Sequence, residues 1–210
     1  MVHRREVGDQ EIILGNQGAL YGNAMTWWDH DTGSVWTQPR GEAILGPRKG
    51  ERLELLPSTL TEWGSWTEAH PDTLALKAKS GIFRGGLSLD STVIVVEIGE
   101  TAIAYPYPDI IESGVINDVI EGLEIAVVVD PSDSGRWMVF SRRLSDRIVL
   151  LEIDGPLLVD SLTGEEIDPV RGLILTGPDA GEALGTVPAF TSFPRDFSTF
   201  FPQGQIWQNR

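Results

Sequence analysis

The chain contains no cysteine. Disulfides, thiolate nucleophiles and Cys-ligated zinc or iron–sulfur sites are therefore excluded. Basic charge is also scarce: 16 Lys and Arg stand against 31 Asp and Glu, a formal charge of −15. Nucleic acids and anionic surfaces are held by clustered Lys and Arg, so nucleic acid is not an expected partner. No apolar run approaches the ~18 residues that a membrane span requires, and no apolar h-region follows Met-Val-His-Arg-Arg-Glu at the start. The expectation is a soluble chain without membrane insertion or export signal. P-loop, Gly-x-Gly-x-x-Gly and Gly-x-Ser-x-Gly patterns are all missing, which leaves nucleotide binding and a serine triad without support.

What is present is a tryptophan-rich stretch from Met25 to Thr73, carrying Trp27, Trp28, Trp36, Trp63 and Trp66, and a weaker copy of it that begins near Asp160. Shifted by 131 positions, Asp29, Thr32, Gly33, Arg40, Gly41, Gly46, Pro47, Gly50 and Glu51 fall on Asp160, Thr163, Gly164, Arg171, Gly172, Gly177, Pro178, Gly181 and Glu182. Upstream the shift becomes 137, pairing Met1, Val2 and Arg5 with Met138, Val139 and Arg142. Gly and Pro dominate these matches, and because they set backbone dihedrals, what recurs is a set of turns.

Short β-branched or aromatic runs over 12–14, 20–28, 34–38, 43–45 and 52–55, each bounded by Gly, Pro or Asp, predict a strand meander. Asp31-Thr32-Gly33 predicts a hairpin turn. Thr59-Leu60-Thr61-Glu62 reads as a capping box opening a helix over 60–69, with Leu60, Trp63, Trp66 and Ala69 as its apolar stripe and Pro71 as its stop. Phe193, Phe197 and Phe200 predict a second helix near 193–201. Hairpins are expected around Gly99-Glu100 and Glu121-Gly122, and the unbroken apolar runs at Val93 to Val96 and Ile125 to Val129 predict strands covered on both faces. The expected fold is mainly β with a minor α component: short antiparallel strands in two internally repeated units, each with one short helix. A Gly-rich connector from Lys79 to Leu89 suggests a division into 1–80, an incomplete unit, and 81–210, which holds both hairpins, or else a single fused core.

His30, Asp31, His70 and Asp72 are residue types that take a divalent metal, and the turn at His30 is placed to meet a helix end at His70. Packing explains the same residues: His70 before Pro71 suits a helix C-terminus and Asp31 a turn. At the 131 shift their partners are Ser161, Leu162, Phe201 and Gln203, so the first copy is polar where the second is largely apolar or neutral. Arg4, Arg5, Arg142 and Arg143 read as a salt-bridged face, and Asn117-Asp118 as a pair bonding to nearby backbone.

Several motifs together resemble the bacterial and archaeal domain family of unknown function DUF3179. They are Gly99, Glu100, Ala104, Tyr105 and Pro106; Asn117 and Asp118; Phe140, Arg142 and Arg143; Asp29, Thr32, Gly33, Ser34, Trp36 and Gln38; Gly41, Glu42, Ala43, Gly46 and Pro47; and His70 to Thr73. Members similar to this chain begin with a half-unit ending in Cys-Pro-x-Cys-Gly. Here that half-unit is expected to be missing, and the equivalent place in the second unit reads Asp130-Pro131-Ser132-Asp133-Ser134-Gly135, with no thiol. The resemblance implies no activity. The expected function is a non-catalytic binding or assembly module with a protein partner or as a homo-oligomer, because the first unit lacks hairpins to cover its apolar strands. The alternative is a metal-dependent enzyme or metal-binding protein using His30, Asp31, His70 and Asp72.

Overall fold

The structure, a computed structural model, describes residues 1–61, 63–75 and 88–209. The protein is mainly β, with three short α-helices among the described residues: α1 (Trp63–Ala69), α2 (Tyr107–Ser113) and α3 (Pro194–Phe200). None is long and apolar enough to cross a membrane. The chain forms two compact units, each assembled from separated stretches. The first holds Met1–Ser58, Val93–Tyr105 and Val187–Arg210; the second holds Thr59–Thr92 and Pro106–Thr186. This differs from the sequential division at residue 80, and the connector that suggested that division lies, up to residue 87, outside the described residues.

In the first unit, Leu14–Tyr21, Ala24–Asp29, Val35–Thr37 and Ala43–Leu45 form a four-stranded antiparallel sheet in sequence order. The run over 20–28 is not one strand: Gly22 and Asn23 take positive φ and turn the chain back on itself. Below this sheet Trp36 packs with Ile12, Ala43 and Leu53, all buried. A second sheet runs in the order Ala189–Ser192, Val93–Ile98, Thr101–Pro106, Gln205–Ile206. Its last pair is parallel, an exception to the antiparallel expectation. Val93 to Val96 are buried at every position, as expected for a strand covered on both faces. Against them pack Phe190, Phe197, Phe200 and Phe201, so this core is apolar throughout.

In the second unit, Val115–Ile120, Leu123–Asp130 and Asp133–Ser141 form an antiparallel sheet, joined by the expected turn at Glu121-Gly122. Leu151–Asp154, Leu157–Asp160 and Glu166–Ile167 form another. Ala126, Val128, Phe140, Leu151, Leu158 and Ile174 meet in its core. The sequence reading passed over α2, although its signals are present: proline in the first turn, Tyr107 and Ile110 on a buried face, and Gly114 at φ 70° closing the helix. The expected capping box runs to Glu62, which lies outside the described residues. Thr59 Oγ donates to the Trp137 carbonyl at 2.8 Å.

The two sequence shifts lay one set of backbone hydrogen bonds on another. Arg4 N to Glu54 O, Ile12 N to Arg5 O, His30 N to Ile13 O and Leu53 N to Gly41 O occur in the first unit. Ser141 N to Gly185 O, Val149 N to Arg142 O, Ser161 N to Leu150 O and Leu184 N to Gly172 O occur at the shifted places in the second. The helix ends agree as well: His70 N bonds Trp66 O and Thr73 N bonds His70 O, as Phe201 N bonds Phe197 O and Gly204 N bonds Phe201 O. The helices, however, change sides. α1 follows the first unit's strands in sequence yet belongs to the second unit, and α3 follows the second unit's strands yet belongs to the first. The hairpins are shared out too. Val93–Ile98 and most of Thr101–Pro106 lie in the first unit, so the absence of covering strands that pointed to a partner chain is met within the chain.

Candidate functional site

The sequence-selected residues separate. His30 and Asp31 lie in the first unit, His70 and Asp72 in the second. Among the described residues no group of three or more His, Asp or Glu is arranged to hold a metal ion. His30 stacks on Trp28, ring centroids 4.3 Å apart and nearly coplanar. Gly15 permits this, because a Cβ there would meet the Trp28 indole nitrogen at 2.7 Å. Asp31 accepts from the Gln10 amide at 3.4 Å. Arg4 and Arg143 pair with Glu54 and Glu124, and Arg5 with Glu11, as a salt-bridged face should. Arg142 departs from that reading by donating to the carbonyls of Ile125 and Val149.

The Asp-x-x-Thr-Gly-Ser-x-Trp motif builds an exposed turn anchored on buried Asp29, Ser34 and Trp36. Asp29, fully buried, accepts from Thr32 N at 2.6 Å and from the Trp36 indole at 3.0 Å. The corresponding Asp160, also fully buried, accepts from Leu150 N, Leu162 N and Thr163 Oγ. Its charge is met by Arg147, which also reaches Glu165 at 2.5 Å and Asp179 at 2.7 Å. Burial pushes both aspartates upward. The Trp36, Thr32 and Arg48 interactions of Asp29, and the Arg147 and backbone bonds of Asp160, outweigh it and hold each below the ordinary 3.8. A lowered folded-state pKa means that the unfolded chain binds the proton more readily, so this stabilisation is complete above about pH 4 and is lost as pH falls through the folded values. Acid titration followed by circular dichroism should show unfolding below pH ~4, and both Asp29→Asn and Asp160→Asn should shrink the acid dependence.

A cleft in the second unit, about 320 Å³, is lined by Thr59, Thr61, Trp66, His70, Asp130, Ser132, Arg136, Asp168, Pro169, Val170, Arg171 and Leu175. α1 supplies its aromatic wall: Trp66 and His70, one helical turn apart, place their rings 4.1 Å apart, and the Trp66 indole donates to Thr73 Oγ. The polar floor comes from the end of Leu123–Asp130 and the start of Asp133–Ser141. There Arg136 donates to Asp130 at 2.9 Å and to Thr61 Oγ at 3.2 Å, and lies 3.3 Å from Asp133. Asp130 also accepts from both Ser132 N and Ser132 Oγ. Beside the floor, Tyr107 donates to the Ser134 carbonyl, and burial, with Asp133 and Asp90, pushes its phenol up to about 12. The loop at Asp168, which accepts from Val170 N and Arg171 N, forms the third side. The volume lies at the low end of the range of small-molecule sites, and the lining is more polar than is usual for them.

Residues 1–85 match the family described as protein of unknown function (DUF3179). The DUF3179 match takes in α1 and so the aromatic wall, whereas Arg136 and the Asp168 loop lie beyond it, as do the resembling motifs from Gly99 to Arg143. No curated protein and no solved structure matches the chain. Of the cleft residues, sequence reading had singled out His70 for chemistry and Trp66 for packing. Arg136, Thr59 and Asp130 were missed, and the signal that marks Thr59 is its counterpart at the 131 shift, Phe190.

Proposed function

We propose that the protein is a non-catalytic, DUF3179-like binding module whose ligand occupies the cleft of the second unit. One observation carries this reading: the corresponding place in the first unit is sealed. Thr59, Trp66 and His70 fall, at the 131 shift, on Phe190, Phe197 and Phe201, which are 1%, 2% and 7% exposed. Each phenylalanine buried in this way is worth about 1.5–3 kcal/mol. A backbone with the same hydrogen bonds thus accepts a closed apolar core, and the open polar version forgoes that stabilisation. Departures of this kind from the well-packed solution concentrate at functional sites. Binding is favoured over catalysis because the one serine in the lining, Ser132, donates to a carboxylate already held by Arg136, so no nucleophile–base pair is assembled.

The test is a small-molecule library screened by ligand-observed NMR against the protein and its His70→Phe variant. His70 is exposed, so the substitution should change stability by no more than ~0.5 kcal/mol. It should also remove the binding of compounds that the unchanged protein retains. A library in which no compound distinguishes the two proteins would overturn the reading.

A further inference from the structure

Resting on that binding reading, we propose that the cleft takes a planar aromatic ring carrying an anionic group. The sealed unit indicates the ring. At its counterpart of Thr59 it places the Phe190 side chain, and at its counterpart of the cleft's Arg171 it places Arg40, whose guanidinium lies over the Phe201 ring at 5.4 Å. An arginine over an aromatic face is a favourable arrangement. The second unit keeps the arginine and the supporting turn, and replaces Phe190 by Thr59 and Phe201 by His70. What it lacks is ring volume. A ligand ring supplies it, bounded by Trp66 on α1 and His70 just past its end, and by Pro169, Val170 and Leu175.

The charge of the ligand follows from which groups are already engaged. Asp130 is saturated by Ser132 and Arg136, Arg136 is spread over Asp130, Asp133 and Thr61, and Asp168 accepts two backbone N–H groups. The floor's one cation is therefore already shared between two carboxylates, Asp130 and Asp133. Arg171 differs. Its side chain is 68% exposed, and its carboxylate neighbour Asp168 stands 3.8 Å away, beyond hydrogen-bond length. Thr61 Oγ accepts from Arg136 and keeps its own proton to donate. A carboxylate on a short arm from the ring meets both groups, and a guanidinium–carboxylate contact is among the stronger polar interactions. At about 320 Å³ the cleft has room for a ring and a short arm.

Phenylacetate, phenylacetamide and cyclohexylacetate separate the two components. Titrated into the full chain by NMR, phenylacetate should bind roughly tenfold or more tightly than either of the others, since one lacks the charge and the other the flat ring. Arg171→Gln should weaken phenylacetate about tenfold and leave phenylacetamide unchanged. Thr59→Phe, which refills the ring volume, should abolish binding of both. If that variant fails to fold, Arg171→Gln alone still decides, because the side chain is exposed. Equal binding of phenylacetate and cyclohexylacetate, or an Arg171→Gln variant with unaltered affinity, would sink the proposed ligand class. It would leave the binding reading standing if other compounds remain sensitive to His70→Phe. If no compound shows that sensitivity, both fall together.

Discussion

Replacing Arg147 by methionine should destabilise the protein by about 3 kcal/mol, read as a lower urea midpoint at unchanged slope. The guanidinium is the cation facing Asp160 and Glu165, whose side chains are 0% and 2% exposed, and Asp179 is only partly open to water. Methionine fills a similar length but leaves those carboxylates buried beside one another. The figure lies at the low end of what breaking a buried pair costs, because the Arg147 side chain is itself 28% exposed and water can relieve part of the loss. The first unit shows a different solution at the same places. There Gln10 stands for Arg147, Ser34 for Glu165 and Arg48 for Asp179, and Arg48 donates to Gln10 at 2.6 Å while its backbone N–H donates to Ser34 Oγ. The cation has moved from the hairpin to the loop. Arg147→Gln combined with Glu165→Ser and Asp179→Arg should therefore recover much of what Arg147→Gln alone loses, a non-additivity expected of residues in one network.

Phe197→Ala should cost about 3–5 kcal/mol, whereas Trp66→Ala, at the matching position of α1, should cost about 1 kcal/mol. Phe197 is 2% exposed within a cluster of Val93, Val95, Phe190 and Phe201, so truncation leaves a cavity that its neighbours cannot fill without moving the strand. Trp66 is only half-buried and faces open volume, so its removal enlarges an existing space. Thermal or urea denaturation of both variants gives the comparison directly. Equal losses would mean that Trp66 is a core residue and that the cleft is a packing gap.

Turns were the most legible part of the fold. Asp29 to Gly33, Gly99-Glu100 and Glu121-Gly122 all lie where glycine and aspartate place them, since positive φ and side-chain to backbone bonds are encoded within a few residues. The helix α3 was legible from phenylalanine spacing. The destination of each helix was not. An apolar face specifies that it must be covered, and nothing local says which sheet covers it, so α1 and α3 read as belonging to the strands before them. Val93–Ile98, grouped by sequence order with the strands after it, lies in the first unit for the same reason. His70 stood out as a candidate because of its residue type, but the companions expected for it, His30 and Asp31, were chosen by chemistry alone. The ones it has, Thr59, Asp130 and Arg136, become neighbours through pairing between segments about 70 residues apart, as in the Thr59 bond to Trp137.

The division of the chain between its units has a consequence during synthesis. The second unit is nested: its last stretch ends at Thr186, before the final segment of the first unit, Val187–Arg210, emerges. The strands of Met1–Ser58 leave the ribosome before the second unit and must wait for Ala189–Ser192 and α3. At ~5–20 residues per second that wait is on the order of ten seconds or more. The first unit is thus completed after the second although its strands emerge earlier, and over that interval its apolar strands stand open to chaperones and to other nascent chains.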